Sequence, residues 1–272
     1  MDERHQVPTA VGRLAVRVRG DGPPAVLWHS LFVDERSWLR VVEPLAQERR
    51  LVIITGPGHG ASADPSRRYS LDDCAAAAGE VVAALDVSDP VDWVGNAWGG
   101  HVGVVFAATW PDRCRSLVTF GTPVQSYGWT EQVQFRLLLA VYRAVGMVDF
   151  LSTAIVDALL SSKTRTEDPE AVALVLDGLR TMDRRALTNA MMSISLGRPD
   201  LTPRLTAIRC RTVFVTGTDH REWTPAQAEA KSRLLADGAV TVVPDTAYLT
   251  PLEAPDESVR IVRDLWRTAP QP

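Results

Sequence analysis

The sequence predicts an α/β protein: a mostly parallel sheet of eight strands, helices on both faces of the sheet, and a helical insertion. Three observations support this fold class. Short apolar runs that are typical of buried strands alternate with helical patterns. A strand-free stretch from about Trp129 to Leu196 interrupts that alternation before it resumes. Two glycines, Gly95 and Gly99, mark a tight turn from a strand into a helix.

Composition and charge narrow the classes of function. The 272 residues are 46% hydrophobic and 23% charged, with a formal net charge of −4. Because the chain has no basic run, nucleic acid is not an expected partner. We see no secretory leader and no apolar run of about 18 residues, so we expect a cytoplasmic protein that does not enter a membrane. The three cysteines lack Cys-x-x-Cys spacing, which is typical of reduced thiols.

Strand patterns in the first half of the chain alternate with helical ones. The strands are predicted at Leu14–Val18, Ala25–Trp28, Leu51–Ile54, Val91–Val94 and Ser116–Phe120. Helices are predicted from Trp38, where Pro44 should kink the helix or end it early, from Leu71 to Leu85, and after Gly100. This rhythm favours a doubly wound sheet with right-handed crossovers.

The second half begins with helix after helix and then returns to strands. Strands are predicted at Thr212–Thr216 and Ala239–Val243, followed by a closing helix. Thr224 and Gln227 have the spacing of a helix capping box. We therefore predict a core domain formed by residues 1–124 and 206–272, with residues 125–205 as a helical cap, or lid.

The turn after Val94 reads Gly95-Asn96-Ala97-Trp98-Gly99. This is the spacing of the nucleophile elbow Gly-x-Ser-x-Gly, in which the glycines permit a strained turn and close packing of the helix. The nucleophile position holds Ala97. A methyl group can neither attack a carbonyl nor accept a proton.

On this turn and on the order of the other segments, the chain resembles the α/β-hydrolase superfamily over most of its length. The resemblance implies an oxyanion hole made by the backbone N–H groups of Leu31, which follows His29-Ser30, and of Trp98. In the family the catalytic order is Ser, then Asp or Glu, then His. The histidine position falls at Tyr248 in this chain.

The acid position stays open on the sequence alone. Asp219 is the nearest carboxylate after the strand that ends at Thr216. The spacing that is common in the family falls on His220, and Glu222 is a second candidate. Tyrosine has an ordinary pKa near 10, which makes it a poor base but a reasonable hydrogen-bond donor at neutral pH.

We expect the cavity at the carboxyl ends of the strands, between the elbow and the cap. Its predicted wall consists of Phe32, Trp98, Trp129 and Tyr248, and its predicted polar groups are Tyr248, Asp219, His220 and Asp34. His29, His59 and His101 are interpreted as structural. The chain has no metal-ligand spacing and no Gly-x-Gly-x-x-Gly fingerprint, so no metal and no cofactor are expected.

Three functions fit these observations. The first is a non-hydrolytic enzyme of cyclase, isomerase or lyase type, acting on a small apolar carbonyl compound, for example in secondary metabolism. The second is a ligand-binding pseudoenzyme. The third is an ester, lactone or C–C bond hydrolase in which Ala97 replaces an original serine, or which works through bound water. Tyr248 argues against a simple Ser-to-Ala variant, because such a change would not also replace the histidine. A homodimer is left open.

Overall fold

Eight strands form one sheet in the computed structural model of the protein, which describes residues 2–269. The strands are β1 (Asp2–Thr9), β2 (Gly12–Arg19), β3 (Pro24–Trp28), β4 (Arg50–Ile54), β5 (Val91–Asn96), β6 (Cys114–Phe120), β7 (Arg211–Gly217) and β8 (Gly238–Val243). Their order in the sheet is β1-β2-β4-β3-β5-β6-β7-β8. Strand β2 is antiparallel to both of its neighbours, and the other pairs are parallel. The predicted α/β fold with a mostly parallel eight-stranded sheet is confirmed.

Helices cover both faces of this sheet. They are α1 (Leu39–Leu45), α2 (Leu71–Ala84), α3 (Trp98–Thr109), α9 (Pro225–Ser232), α10 (Thr250–Glu253) and α11 (Pro255–Thr268). In β3, Val26 and Trp28 pack in one core cluster with side chains of α2 and α3, whereas Ala25 and Leu27 pack in another with α1 and α11. This split follows from the alternation of side chains along a strand. Helix α1 ends one residue after Pro44, as expected for a proline inside a helix.

The first strand, β1, is an element that the sequence patterns did not reveal. It pairs antiparallel with β2 along its whole length, from Asp2 opposite Arg19 to Thr9 opposite Gly12. Val7 is its buried side chain. An edge strand is held by backbone hydrogen bonds on one side, so it needs no apolar run, and periodicity carries no signal for it.

Helices also fill the stretch between β6 and β7. They are α4 (Trp129–Val145), α5 (Asp149–Leu159), α6 (Ser162–Glu167), α7 (Pro169–Thr181) and α8 (Arg184–Ala190), followed by a π-helical turn at Met191–Ser195. None of the residues from 125 to 205 lies in a strand. The bounds of the core and the cap stay a prediction, and their outermost residues, 1 and 270–272, lie outside the described residues. In the part that is described, no helix is long and apolar enough to cross a bilayer.

The glycine at position 99 should be indispensable, whereas the one at position 79 should not. A Cβ added at Gly99 would lie 1.8 Å from the carbonyl oxygen of Trp28, but at Gly79, inside α2, it would meet nothing within 4 Å. We expect Gly99→Ala to lower the free energy of unfolding by about 3 kcal/mol or more. The matched change Gly79→Ala should raise it by about 0.5–1 kcal/mol. Urea unfolding measures both, and equal effects of the two substitutions would contradict the close contact.

Candidate active site

The junction of β5 and α3 has the geometry of a nucleophile elbow. Ala97 lies between the two elements with φ 46° and ψ −102°, in a region that side chains rarely adopt. A Cβ on Gly95 would lie 2.3 Å from the carbonyl oxygen of Gly99, so both glycines are required by close contacts. The side chain at the tip of this turn is a buried methyl group that lines a cavity.

The peptide group that contains the Leu31 N–H is held by His29. The Nε2 atom of His29 accepts a hydrogen bond from the N–H of Gly56 at 2.9 Å, so it carries no proton. The proton is therefore on Nδ1, which donates to the carbonyl of Ser30 at 2.7 Å. In a trans peptide the N–H points opposite to the carbonyl. Because the Ser30 carbonyl is held toward His29, the N–H of Leu31 points in the opposite direction. Ser30 and Leu31 both line the cavity.

The second donor of the expected oxyanion hole is held by α3 itself. The N–H of His101 donates to the carbonyl of Ala97 at 2.9 Å, as the first turn of a helix requires. The same peptide group carries the N–H of Trp98, which points away from the helix because the first N–H groups of a helix have no partner within it. Leu31 and Trp98 thus have their N–H groups oriented by separate hydrogen bonds.

The loop that carries Tyr248 is tied directly to the elbow. The side-chain amide of Asn96 donates to the carbonyl of Phe120 at 3.0 Å and to the carbonyl of Tyr248 at 2.7 Å. The N–H of Tyr248 donates to the carbonyl of Leu159, at the end of α5, at 3.1 Å. Tyr248 is therefore fixed between the turn at Ala97 and the helical insertion.

The hydroxyl of Tyr248 donates a hydrogen bond to the carboxylate of Glu222, and both residues line the cavity. Burial raises the pKa of Tyr248 well above its ordinary value, and the negative charge of Glu222 adds to that effect. The ring of Tyr248 lies against the imidazole of His220, with 3.8 Å between the ring centroids. Tyr248 is thus a protonated donor at physiological pH and cannot serve as a base.

His220, which the resemblance places near the expected acid position, accepts hydrogen bonds through its imidazole. Its Nδ1 accepts from the N–H groups of Trp223, at 3.0 Å, and Glu222, at 3.2 Å. Burial lowers the pKa of His220 to about 4. The neutral imidazole therefore supports the turn after β7 and the ring of Tyr248, and it does not line the cavity.

Besides His220, three other residues that were expected at the cavity lie elsewhere, and all four expectations are corrected. Asp219 is exposed and faces a different depression, because the turn after β7 directs its side chain outward. Asp34 caps the short helical turn Glu35–Trp38 and is bound by the guanidinium of Arg36. Trp129 begins α4 on the outer side of the insertion and is 69% exposed.

The cavity has a volume of about 250 Å³ and is mostly apolar. Of the residues predicted to line it, Phe32, Trp98 and Tyr248 do so. Trp98 contributes to the wall, but its indole ring does not fill the cavity, because the ring packs among Trp28, His29 and His59. The cavity is therefore not filled by tryptophan.

Several polar residues of the cavity wall were not singled out from the sequence. They are Ser30, Tyr127, Glu131, Gln134, Ser195 and Arg198, while His101 had been interpreted as structural and Glu222 as a second acid candidate. The insertion supplies Ser195 and Arg198 from the segment after α8, which carries no motif. Within residues 2–269, no three His, Cys, Asp or Glu side chains form a group that could hold a metal ion.

Comparison with protein families and with related sequences identifies the type of scaffold. The model of the alpha/beta hydrolase family matches residues 25–261. A pimeloyl-[acyl-carrier protein] methyl ester esterase of Xanthomonas campestris is 30% identical over 209 residues, covering 68% of this chain and 77% of that protein. A 2-hydroxy-6-oxo-2,4-heptadienoate hydrolase of Pseudomonas putida is 31% identical over 121 residues, covering 44% of this chain and 41% of that protein.

Solved structures with the same fold are also similar. A thermophilic esterase from Thermogutta terrifontis superimposes with a TM-score of 0.89, at 23% identity, over 97% of this chain and 98% of that chain. An enol-lactonase from Burkholderia xenovorans gives a TM-score of 0.88, at 21% identity, over 97% of this chain and 100% of that chain.

The buried imidazoles around the site should make the fold sensitive to mild acid. Burial lowers the pKa of His29 to about 3, with nearby His59 adding to the effect, and that of His220 to about 4. Burial also lowers the pKa of His59 and, together with Arg198, that of His101. These groups stay neutral in the folded protein but take up protons in the unfolded chain below about pH 6.5. The free energy of unfolding should therefore fall as the pH is lowered from 7 toward 4.

Urea unfolding at pH 7, 6 and 5 measures this effect. Each imidazole that is protonated only in the unfolded chain contributes up to about 1.4 kcal/mol per pH unit. In His220→Asn the amide oxygen can still accept the hydrogen bonds that Nδ1 accepts. The slope of the free energy of unfolding against pH, measured near pH 5, should therefore decrease by the contribution of about one proton. A stability that does not change between pH 7 and 5 would contradict the neutral, buried state of these histidines.

Proposed function

The chain belongs to the alpha/beta hydrolase family, and we propose that it uses the family's cavity for proton transfer on a small carbonyl compound rather than for acyl transfer. The observation that carries the proposal is the hydrogen bond from Tyr248 to Glu222, in the wall of a cavity whose nucleophile position holds Ala97. The proposed reaction is a cofactor-independent isomerisation, elimination or cyclisation. The substrate is expected to be small, because the cavity measures about 250 Å³.

Acyl transfer through a covalent intermediate requires a nucleophile and a base that activates it. Ala97 offers a methyl group at the position of the nucleophile. Tyr248, at the position of the base, is held in its protonated form, since burial and the Glu222 carboxylate raise its pKa. The site therefore has no residue that can act as the nucleophile at this turn, and Tyr248 cannot act as the base.

Stabilisation of an oxyanion does not depend on the nucleophile. Two backbone N–H groups that point at one carbonyl oxygen favour the negative charge that develops on it, in an enolate as well as in a tetrahedral intermediate. The hydrogen bonds from His29 to Ser30 and from His101 to Ala97 orient the donors on Leu31 and Trp98. These donors are what the proposed reaction needs for an enolate.

Glu222 is the base in this proposal. Its carboxylate takes a proton from the carbon next to the substrate carbonyl, the electrons of the C–H bond form the C=C bond of an enolate, and the carbonyl oxygen carries the charge. Glu222, now a neutral acid, returns the proton to the far carbon of a conjugated enolate in an isomerisation, or to the group that leaves the β-carbon in an elimination. In a cyclisation the enolate carbon attacks a second carbonyl carbon of the same molecule, and Glu222 protonates the alkoxide that forms. Tyr248 is a positioning residue, because its hydroxyl holds one carboxylate oxygen of Glu222.

The shape of the cavity supports a protein that binds a small molecule over a scaffolding pseudoenzyme. A scaffolding protein needs no open cavity, so bulky side chains can fill the vacated site. Here the indole of Trp98 packs behind the wall and Trp129 is exposed, so the space above Ala97 remains open. Polar groups of Glu222, Tyr248 and Arg198 surround that space, which favours chemistry on a bound molecule.

Hydrolysis by direct attack of water is a second candidate. It is favoured by the relatives and structural neighbours, which include an esterase, a C–C bond hydrolase and an enol-lactonase. In this version Glu222 removes a proton from water, and the same backbone donors stabilise the tetrahedral oxyanion. The methyl group of Ala97 leaves more room for water than a serine side chain would.

Location and assembly remain predictions from the sequence. We retain the cytoplasmic location and the open question of a homodimer, and nothing in the geometry of the site depends on either. Secondary metabolism likewise remains a proposed context for the reaction.

The proton-transfer proposal can be tested by deuterium exchange. We expect the protein to speed the exchange of α-protons in D2O for at least one of cyclohexanone, 4-oxopentanoate and methyl acetoacetate, followed by proton NMR. Glu222→Gln should lower the rate by about 10²–10⁴-fold, because it removes the base. Tyr248→Phe should lower it less, since the carboxylate remains but loses one hydrogen bond.

The matched control is Glu229→Gln, which makes the same change at an exposed position of α9 and should leave exchange unaltered. Exchange that persists in full in Glu222→Gln would contradict the assignment of the base. Release of acid from a lactone without any exchange of α-protons would favour the hydrolytic candidate.

Restoring the serine alone should restore little esterase activity. We expect Ala97→Ser to show no acyl-enzyme burst with p-nitrophenyl butyrate, since Tyr248 cannot take the proton of the serine. The double change Ala97→Ser with Tyr248→His should give measurable hydrolysis, because members of a triad act as a unit. The carboxylate that meets the new imidazole is expected to be Glu222, since Asp219 is exposed outside the cavity.

Stopped-flow absorbance with folded protein, checked by circular dichroism, distinguishes the outcomes. Full esterase activity in Ala97→Ser alone would mean that another base is present, and the chain would then be an inactivated hydrolase. A folded double variant that is inert would indicate that the donors on Leu31 and Trp98 do not reach the substrate oxygen.

A further inference from the structure

A buried arginine lies in the wall of the cavity. Arg198 follows the π-helical turn Met191–Ser195 and is 9% exposed. Its Nη2 donates to the carbonyl of Gln125 at 2.9 Å, and its guanidinium carbon lies 4.6 Å from the centroid of the Tyr127 ring. Its Nη1 lies 3.0 Å from Nε2 of His101. These contacts hold the guanidinium in place, but none of them is made by a carboxylate.

Arg198 differs in this respect from the other deeply buried arginines. Arg49 and Arg115 both reach the fully buried carboxylate of Asp92, at 2.8 Å and 2.7 Å. Among residues 2–269, no carboxylate oxygen lies within 4 Å of the guanidinium of Arg198. A buried charge is costly unless it is paired, and this arginine lacks the direct ion pair that Arg49 and Arg115 make with Asp92.

The groups in direct contact with Arg198 carry no negative charge. Burial and the positive charge of Arg198 lower the pKa of His101 well below its ordinary value, so the imidazole is neutral. The Nε atom of Arg198 is buried and has no hydrogen-bond partner among the described residues. The guanidinium thus keeps unused donors and has no direct ion pair, and its charge reaches the carboxylate of Asp200 only at longer range.

We propose that Arg198 binds a carboxylate group of the molecule that occupies the cavity, so that the substrate is a small organic acid that also carries a carbonyl group. This inference rests on the proposed function and names its substrate class. A guanidinium offers donors in a planar fork that matches a carboxylate. This proposal also refines the sequence prediction of an apolar substrate, because one end of the bound molecule is charged.

Arg198 and Glu222 can serve opposite ends of one such molecule. They line the same cavity, and among the described residues no ion pair within 4 Å joins the guanidinium of Arg198 to the Glu222 carboxylate, which is hydrogen-bonded to Tyr248. Arg198 contacts His101, which lies one helical turn after Ala97 on α3, or about 5–6 Å along the same helix face. A carboxylate at Arg198 therefore leaves the carbonyl of the same molecule within reach of the elbow.

Binding measurements test the inference independently of catalysis. We would titrate the protein at pH 7.5 with hexanoate, benzoate and 4-oxopentanoate, each beside its neutral amide, and follow saturation-transfer NMR. The wild-type protein should bind at least one carboxylate at least tenfold more tightly than its amide. Arg198→Met should remove that preference and change the affinity for the amide by less than twofold, whereas Arg198→Lys should keep part of the preference.

The control is Arg209→Met, the same change at an exposed arginine outside the cavity, which should keep the full preference. A wild-type protein that binds none of the acids, or binds each no better than its amide, overturns the inference. A preference that survives in folded Arg198→Met also overturns it. If Arg198→Met does not fold, Arg198→Lys and the wild-type comparison of acid with amide still decide the question.

The two proposals can fail separately. A carboxylate preference that depends on Arg198 in a protein that exchanges no α-protons would support the anion site and contradict the proton-transfer function. Exchange that depends on Glu222, with acids and amides bound equally, would support the function and contradict the role of Arg198.

Discussion

The close approach of α3 to β3 is the contact on which the geometry of the site depends. Gly99 packs so tightly on the carbonyl of Trp28 that no side chain fits, and its N–H donates to the carbonyl of His29 at 3.1 Å. This contact fixes where α3 begins. The residue just before the helix, Ala97, is thereby held at φ 46°. Such a conformation costs about 1–3 kcal/mol and persists only where the surroundings determine it. The strained turn then directs the N–H of Trp98 out of the helix.

A second set of hydrogen bonds runs from the loop after β4 to the other backbone donor, the N–H of Leu31. The N–H of Gly56, just after β4, fixes the proton of His29 on Nδ1, and that proton holds the carbonyl of Ser30. The orientation of the Leu31 N–H thus depends on a neutral imidazole that is fully buried. A polar cavity wall is therefore built on packing in the sheet, and acid that protonates His29 would weaken the fold and the donor together.

The sequence predicted the elements that have a local cause. Glycines at 95 and 99 mark the elbow because a strained turn needs them at that spacing, and apolar runs mark the buried strands. The pairing of Tyr248 with Glu222 could not be predicted, because it joins two loops whose directions are set by tertiary contacts. The N–H groups of Glu222 and Trp223 turn toward His220, which leaves Asp219 exposed. The position of Trp129 could not be predicted for a similar reason, since its apolar character does not tell which side of a helix faces the cavity.

Three departures from ordinary structural rules, at Ala97, His101 and Arg198, lie in the wall of one cavity. The other non-glycine residues with positive φ, Ser66, Asp86 and Asp245, are polar residues in exposed turns, whereas Ala97 is buried. His101 has a buried Nδ1 without a partner, and Arg198 lacks a counter-ion among the described residues. Each feature costs stability that a different side chain would recover, and such costs are expected at functional sites. Ala97, His101 and Arg198 all line the cavity, so a molecule bound there would meet the strained turn and the guanidinium together.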